Sequence, residues 1–506
     1  MNFLRLYIEK KNKGGTDMNP EKFTDTDISR EQTKKENTWK KIVAAAVCIC
    51  IVIGAVIAVP KTTSKNNKND IPTEAPTSDA SGTTYTKPKV GFLSYEAVYP
   101  DTVKCPDYNA YQSYEEYDKH FREYAEYLNA KTKLPENYIG EMSAFYRTVT
   151  KQLLCENNGK NISCSPANIY MALSMLSEVT GGNSRNQILN LLGSSDIEKL
   201  RKQAGAVWES SYENDGTGTL VLANSFWLSD LFSYKNEPFE VLKNQYYASS
   251  FSGQMGSDDY TKKLQNWLNN QTGGLLKDSV GSIETHDDDV LELASTVYFK
   301  SQWMDKFQKE QTKEGTFNGA DGAETCDFMH QSSNDISYYT GKGFSSICKE
   351  FTDRGRMWFI LPDKGSSPEK LIAGGEAVDF VLSRGEKAEA HYAHVNLSIP
   401  KFDISSDIDL KKQLSKLGVT DIMSEKASDF SPMTDYDGIF ISNAVHSVRV
   451  TVDEDGCTAA AMTVIQTSAE SMPSETVDFT LDRPFIFAIT NRDGLPLFFG
   501  IVNSIK

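Results

Sequence analysis

The pattern of apolar and polar positions is regular from about residue 141 to the end of the chain and weaker before it. Apolar residues recur at helical spacing over residues 169–179, 263–270 and 410–417. Short apolar or alternating runs predict strands at residues 220–222, 297–299, 357–361, 395–399, 439–452 and 485–489. Helices are concentrated in the first half and strands in the second, without a regular strand–helix alternation. The pattern therefore predicts an α+β fold with a large mixed or antiparallel sheet.

One stretch, residues 451–473, combines the signs of a buried strand with those of an exposed loop. Three acidic residues and Gly456 precede thirteen residues, 457–469, without charge, proline or glycine. Their alternate positions are small or moderate in size, which is typical of a strand that can be buried on one face of a sheet. Charged residues and turn residues flank the run on both sides, as is common for exposed loops. We interpret the stretch as a segment with two states, and an ordinary core strand is the alternative.

A second apolar run, residues 42–59, is interrupted only by Gly54. Eighteen residues in a helix would span about 27 Å, close to the hydrocarbon thickness of a bilayer. Lysines at positions 34, 35, 40 and 41 favour a cytoplasmic N-terminal side. We expect a single transmembrane signal-anchor with the rest of the chain outside the cell. Secretion after cleavage of a signal peptide is the alternative.

The apolar run divides the N-terminal part of the chain. Residues 1–41 are polar and are predicted to be a cytoplasmic head. Residues 60–90 are rich in Thr, Ser, Asn, Asp and Pro, a composition typical of a disordered linker. Residues 91–140 contain several tyrosines at mostly helical spacing. We expect this lead-in segment to pack on the main domain rather than to form a separate binding module.

Composition narrows the possible functions. The 506 residues suffice for one large domain or two of medium size. A net charge of −16 argues against nucleic acid as a partner, because phosphate binding requires a basic surface. The eight cysteines form no CxxC pair, so we expect mostly buried free thiols and leave disulfides undecided.

Candidate catalytic and metal-binding patterns are weak. The chain has six histidines but no GxSxG motif, so the sequence lacks the nucleophile motif of an α/β-hydrolase triad. His391 and His394 have metal-like spacing, but in a strand these positions face opposite sides. The acidic triplet at residues 287–289 lacks the spacing and glycine of a calcium loop. We expect no enzymatic activity, no metal and no cofactor.

Several motifs of the regular part resemble, in the same order, those of the serpin family, and the resemblance covers about residues 141–506. The first three segments are residues 161–166 (NISCSP) before the first long helix, 222–227 (LANSFW), and Trp267 with residues 272–274. Next come residues 298–303 (YFKSQW), 359–362 (FILP), and 399–402 (IPKF), the last followed by residues 409–410 and 417–418. The chain ends with residues 482–487 (DRPFIF) and 499–503, where the family's terminal proline is absent.

The resemblance implies a serpin fold, in which helices pack on large mixed or antiparallel sheets and a reactive-centre loop is exposed. It implies a monomeric suicide inhibitor of extracellular serine proteases. The target protease cleaves the loop and forms a covalent acyl-enzyme, and the loop then inserts into a sheet as a new strand. A non-inhibitory serpin that acts as a binding or structural protein is the alternative.

The resemblance also assigns residues of the loop. The hinge and insertable positions are Glu454, Gly456, Cys457, Thr458, Ala459, Ala460, Ala461 and Thr463. The family's spacing between hinge and cleavage site places the reactive bond at Glu470–Ser471. An acidic residue before the bond favours a glutamyl endopeptidase as the target. An elastase-like protease is the alternative if cleavage lies slightly upstream.

Two departures from the family pattern concern the hinge and the residues beneath the sheet. Cys457 stands where the family has Thr or Ser, and Thr458 where it has Glu. The resemblance places Ser165, Asn168, Ser295, Trp303 and His446 in the regions of the sheet that open to admit the loop. The family's hydrogen-bonded Ser-Asn-His group aligns with Asn168, Ser295 and His446, so we expect its Ser and Asn to be exchanged here.

Overall fold

The computed structural model describes residues 48–58, 95–106, 110–131, 133–216, 218–274, 281, 283–334, 336–457 and 475–505. For residues 48–58 and Cys457 the description covers the backbone. The predicted loop positions from Thr458 to Ser471 lie outside the described residues, as do the predicted head and the linker.

The helices of the described residues are short to medium in length. In chain order they are α1 (Tyr114–Ala130), α2 (Glu136–Leu154), α3 (Pro166–Val179), α4 (Gly182–Leu192), α5 (Ile197–Ser211), α6 (Asn236–Tyr246), α7 (Asp258–Gln271), α8 (Pro368–Gly374), α9 (Glu376–Leu382) and α10 (Leu410–Lys416). Two single 3₁₀ turns are at Lys309–Gln311 and Asp421–Met423.

The strands are concentrated in the second half of the chain, as the sequence predicts. Those of the first half are β1 (Cys48–Ala58), β2 (Ile162–Cys164), β3 (Glu213–Asn214), β4 (Gly218–Ser229) and β5 (Ala248–Gly253). The following seven are β6 (Asp289–Gln302), β7 (Lys313–Gly319), β8 (Gly322–Ser333), β9 (Ser337–Gly341), β10 (Phe344–Glu350), β11 (Arg356–Pro362) and β12 (Glu389–His391). The last are β13 (His394–Pro400), β14 (Phe402–Asp409), β15 (Phe440–Val452), β16 (Gly456–Cys457), β17 (Thr476–Thr480), β18 (Phe485–Thr490) and β19 (Pro496–Val502).

Three sheets organise these strands. The central sheet has the order β14-β15-β1-β6-β4-β3, with β5 paired to β4 and β16 paired to β6. A seven-stranded sheet has the order β12-β9-β10-β11-β18-β19-β2, and a four-stranded sheet has the order β17-β13-β8-β7. Most pairs are antiparallel, while β4–β5 and β13–β17 are parallel. The predicted α+β class with mixed or antiparallel sheets is confirmed.

Helix α3 lies at the centre of the core. Every residue of α3 is buried. Its polar side chains, those of Asn168, Ser174, Ser177 and Glu178, all form hydrogen bonds, as buried polar groups require. Pro166 occupies its first turn, and the Ser165 side chain caps it by accepting a hydrogen bond from the Asn168 N–H. The helix contacts β6 of the central sheet and β19 of the seven-stranded sheet, so it connects the two layers.

The structure contradicts the predicted transmembrane anchor. No helix that it describes is long and apolar enough to cross a membrane. Within residues 42–59, Cys48–Ala58 is strand β1, whose backbone pairs with β15 on one side and β6 on the other. A continuous apolar run does not by itself distinguish helix from strand, and the Ile and Val residues of this run favour strand. The predicted single-pass localisation is therefore wrong.

The lead-in segment contacts the body of the protein at several points. Tyr95 and Ser250 of β5 exchange two backbone hydrogen bonds of 2.7 Å. At the other end, the Lys131 ammonium lies 2.7 Å from the Glu213 carboxylate, and both side chains are buried. Next to it the Leu134 N–H donates to Asp493 at 3.1 Å. The domain boundaries of the sequence analysis stay predictions.

Candidate functional site

The candidate site is the region of the central sheet between β15 and β6, which we call the gap. Strand β1 lies in the gap and runs antiparallel to both neighbours. Strand β16 pairs with β6 at one end of the gap, through Gly456 opposite Gln302 and Cys457 opposite Ser301. The predicted reactive-centre loop follows β16, and the two hinge residues of β16 itself, Gly456 and Cys457, lie in the sheet.

The chain reverses direction between β15 and β16 in a tight turn. Gly456 forms an isolated bridge with Asp453, the residue that follows β15. Gly456 has φ +108°, and a Cβ there would lie 2.5 Å from the backbone nitrogen of Trp303. Only glycine adopts this conformation without strain and permits so close a backbone approach. The glycine predicted from the hinge pattern is thus required by the geometry of the turn.

Glu454 is the most strongly held residue of the turn. Its side chain is 7% exposed and lies 3.0 Å from the Lys401 ammonium. The Thr312 hydroxyl donates to the same carboxylate at 2.8 Å. Burial opposes ionisation of Glu454, but its hydrogen bonds, including those from Lys401 and Thr312, outweigh burial and hold its pKa below the usual value. Glu454 therefore ties the end of β15 to the start of β14 and to the segment before β7.

The two aspartates of the turn have different environments. Burial raises the pKa of Asp453 to about 6. Asp455 is partly buried too, but Lys309 at 2.8 Å and Lys306 at 3.6 Å outweigh that effect and keep its pKa low. The Asp455 N–H donates to the Asp453 side chain at 2.9 Å, which closes the turn. Two of the three acidic residues of the turn, Glu454 and Asp455, thus form ion pairs with lysines.

Trp303 supports the turn from below. Its side chain is fully buried and its indole N–H donates to the Asp453 carbonyl at 2.9 Å. Its ring stacks on Phe351 at 4.6 Å between centroids. Aromatic packing and one directed hydrogen bond therefore fix the end of β15 next to the hinge turn.

Lys349 is a buried cation beside Trp303. Its ammonium donates to the Asp305 carbonyl and to the Gln331 side chain, both at 2.6 Å. It also lies 5.4 Å from the centre of the Trp303 ring and 4.6 Å from that of Phe307. Burial lowers the pKa of Lys349 to about 8. The site therefore keeps a positive charge at neutral pH close to the acidic turn.

A polar cluster lies beneath the middle of the gap. The Ser295 hydroxyl lies within hydrogen-bond distance of the side-chain oxygens of Asn168 and, at 2.7 Å, Asn224. Because a hydroxyl carries one proton, it donates to one of them at a time. Asn168 donates in return to the Ser295 carbonyl at 3.3 Å. These three buried residues thus connect α3, β6 and β4.

His446 joins this cluster through a neighbouring residue. Its Nε2 accepts the Ser165 N–H at 2.9 Å, so the neutral ring carries its proton on Nδ1. That Nδ1 has no hydrogen-bond partner among the described residues. Burial lowers the pKa of His446 to about 3, which keeps the ring neutral at physiological pH.

The structure brings together most of the described residues that the sequence singles out. Asn168 and Ser295 are bonded directly, whereas His446 reaches them through Ser165, whose hydroxyl accepts the Asn168 N–H at 3.2 Å. Trp303 lies under the hinge turn. The functional roles of these residues stay predictions.

Sequence reasoning missed several residues of the site. Lys349 and Thr312 lie outside the family motifs. Asn224 lies within the LANSFW motif, which does not indicate its hydrogen bond with Ser295. Lys401 lies within the IPKF motif, which marks its place in the family pattern but does not indicate that it pairs with Glu454. His391 and His394 have separate partners, the Thr340 hydroxyl at 2.7 Å and the Asn334 side chain at 2.6 Å. The described residues contain no group of side chains that could hold a metal ion.

The substitution Lys401→Gln tests the anchor of the hinge. It leaves the Glu454 carboxylate buried without its cation, so we expect the free energy of unfolding in urea to fall by about 1–3 kcal/mol. Lys416→Gln is the matched control, since Lys416 pairs with a more exposed carboxylate, that of Glu156. The control should leave the urea midpoint unchanged. Equal effects of the two substitutions would contradict the anchor role.

The substitution His446→Gln tests the buried neutral histidine. The pKa of His446 is about 3 in the folded protein, against about 6.5 when unfolded, so below pH 6.5 the unfolded state binds more protons. Its contribution to stability is present above pH 6.5 and is lost as the pH falls towards 3. We expect the free energy of unfolding of the unsubstituted protein, relative to the variant, to drop by about 2–3 kcal/mol between pH 7 and 4.5. Urea unfolding at three pH values measures it, and a constant difference would refute the assignment.

Comparisons with known proteins agree with this architecture. Residues 141–505 match the family described as Serpin (serine protease inhibitor). The human protein named Leukocyte elastase inhibitor is 29% identical over 363 residues, which cover 69% of this chain and 95% of that protein. Alpha-1-antiproteinase 2 of Equus caballus is 28% identical over 384 residues, which cover 74% of this chain and 87% of that protein.

Solved structures share the fold. The native state of a thermophilic serpin, tengpin, matches with a TM-score of 0.65 at 24% identity, covering 74% of this chain and 96% of tengpin. Human thyroxine-binding globulin, in complex with its hormone, matches with a TM-score of 0.62 at 22% identity, covering 73% of this chain and all of that chain. With the family match over residues 141–505, these findings show that the chain belongs to the serpin family.

Proposed function

We propose that this serpin is a suicide inhibitor of serine proteases that acts by cleavage of its reactive-centre loop and insertion of the loop into the central sheet. One observation carries the proposal. Gly456 bridges Asp453 beyond β15 and pairs with Gln302 of β6, so the hinge enters the gap between the two strands. A loop that begins in this position could extend along the gap without a change of direction on insertion.

The composition of the loop supports insertion. Residues 457–469 contain no charge, and burying an unpaired charge would oppose entry into the sheet. Fourteen extended residues span roughly 46 Å, enough to move a bound protease across the molecule. About ten new ladder hydrogen bonds at about 1 kcal/mol each would release on the order of 10 kcal/mol. That free energy would drive the change from exposed loop to buried strand.

The reactive bond in this proposal is Glu470–Ser471. Glu470 is the first charged residue after the neutral run, and its carboxylate suits a protease with a basic primary pocket, such as a glutamyl endopeptidase. An elastase-like protease is the alternative target, which the name of the human relative also favours. In both cases the partner is the protease, held as a covalent acyl complex.

A non-inhibitory serpin is the second candidate function. Strand β1 fills the gap that the loop would enter, which favours a protein whose loop stays outside the sheet. Cys457 also favours the non-inhibitory function, because oxidation of its thiol would add bulk at the first insertable position. The two functions differ in what the protein does to a protease that cleaves it.

Incubation with a glutamyl endopeptidase and with an elastase-like protease tests the proposal. We expect an SDS-stable complex on denaturing electrophoresis, and mass spectrometry of the released fragment should locate cleavage after Glu470. Clean cleavage without a complex, with both proteases, would support the non-inhibitory function.

The substitution Ala461→Arg should convert the inhibitor into a substrate. Ala461 belongs to the alternate set that insertion buries, so a charge there stops the loop partway. Thr458→Arg is the matched control, because Thr458 belongs to the outward-facing set. We expect cleavage without a complex for the first variant and a complex for the second. Equal complex formation by both would rule out the insertion mechanism.

The substitution Glu470→Arg should change the target class. We expect complex formation with a trypsin-like protease, whose primary pocket is acidic, and loss of the complex with the glutamyl endopeptidase. Unchanged preference would place the reactive bond elsewhere in the loop.

A further inference from the structure

We propose that strand β1 is a built-in competitor of the reactive-centre loop, and that loop insertion requires its release from the gap. The proposal rests on the proposed inhibitory function and adds a regulatory step to it. It follows from the register of β1 between its two neighbours, and thus from backbone pairing alone.

The first register is the one along β6. Strand β16 runs antiparallel to β6, with Gly456 opposite Gln302 and Cys457 opposite Ser301. If the loop continued in this register, residues 459, 460 and 461 would lie opposite Phe299, Tyr298 and Val297 of β6. In the structure these three positions are opposite Cys48, Ile49 and Cys50 of β1. Strand β1 thus begins on β6 where β16 stops, and it runs in the same direction.

The second register, along β15, gives the same correspondence. The bridge between Asp453 and Gly456 sets the loop antiparallel to β15. Continued residue by residue, it places residue 460 opposite Arg449, which is the observed partner of Ile49. Two independent neighbours therefore assign the same loop position to the same residue of β1.

The correspondence holds at the far end of the gap as well. Ala58 lies opposite Asp289 of β6 and Phe440 of β15, despite irregularities along both pairings. Both registers assign residue 469 of the loop to these two partners. The eleven residues of β1 thus occupy the positions of loop residues 459–469, which end immediately before the proposed reactive bond.

The two segments cannot occupy the gap together. Neighbouring strands in a sheet are about 4.8 Å apart, so one strand fills the space between β15 and β6. Composition allows either to fill it, because residues 48–58 and 459–469 are both free of charge and proline and rich in alanine or β-branched residues. Occupation by β1 already satisfies the ladder groups that insertion of the loop would satisfy.

This competition has a measurable consequence. With β1 in place, cleavage of the loop alone yields no new strand and no gain in stability. With β1 removed, a cleaved loop enters the gap and stabilises the protein. Strand β1 therefore blocks loop insertion, and inhibition is fast only when β1 has left the sheet.

Three variants separate the possibilities. The first lacks residues 48–58. The second, Ala55→Pro, removes a backbone donor at a position of β1 that pairs with both neighbours, opposite Leu293 of β6 and Ala444 of β15, where a central strand does not tolerate proline. The third, Thr62→Pro, places the same residue beyond β1 and serves as the matched control.

The first measurement is the change in melting temperature when a zinc metalloprotease, which forms no acyl-enzyme, cleaves the loop. We expect little change for the full-length protein and for Thr62→Pro. For the deletion variant and for Ala55→Pro we expect a rise of about 20 °C. The proline variant decides the result if the deletion variant does not fold.

The outcomes distinguish failure of this proposal from failure of the proposed function. A rise in all four proteins would show that the gap is free in the full-length chain, which overturns the competitor role and leaves the inhibitory function intact. No rise in any of them would mean that the loop does not insert, which overturns the inhibitory function and this proposal with it.

A peptide and a rate give two further readouts. A synthetic peptide with the sequence of residues 48–58, added at saturation to the deletion variant, should abolish the rise on cleavage, and a scrambled peptide should not. If the gap is free in about 0.1–10% of full-length molecules, the deletion variant should form SDS-stable complexes about 10- to 1000-fold faster. Equal rates, with no effect of the peptide, would refute the proposal.

Discussion

The pairing capacity of β6 and β15 is the constraint on which the rest of the structure depends. Both strands lie inside the central sheet, and buried backbone N–H and C=O groups must find hydrogen-bond partners. The gap between them has room for one strand, and a strand in the gap is stabilised because it pairs with the backbone groups of both neighbours. Strand β1 fills it in this structure, and β16 pairs with β6 at one end of the same gap. In the mechanism that we propose, function depends on whether β1 or the reactive-centre loop occupies this gap.

Side chains around the gap hold the hinge turn and the neighbouring strands in place. The turn after β15 is held by the ion pair between Glu454 and Lys401 and by the indole of Trp303. The buried Lys349 adds a positive charge close to this acidic turn. Beneath the gap, Ser295 and Asn168 connect β6 to the buried helix α3. Ion pairs thus surround the turn at one end of the gap, and hydrogen bonds between neutral side chains lie beneath its middle.

Much of the fold could be predicted from the sequence, because periodicity reports which face of an element is buried. The predicted helix at residues 169–179 and the predicted strand at residues 439–452 are confirmed as parts of α3 and β15. Less of the site could be predicted. Glu454 was singled out with the hinge, but its partner Lys401 lies 53 positions earlier in the chain, and no local pattern reports such a contact.

The sequence by itself determined the family motifs, the α+β class and the neutral character of residues 457–469, because these follow from local composition and spacing. The tertiary structure alone decided the secondary structure of residues 48–58. Their apolar composition is compatible with a membrane helix and with a buried strand, and the predicted helix was wrong. The unpaired edges of β6 and β15 resolve the ambiguity, since they provide on both sides the hydrogen-bond partners that a strand requires.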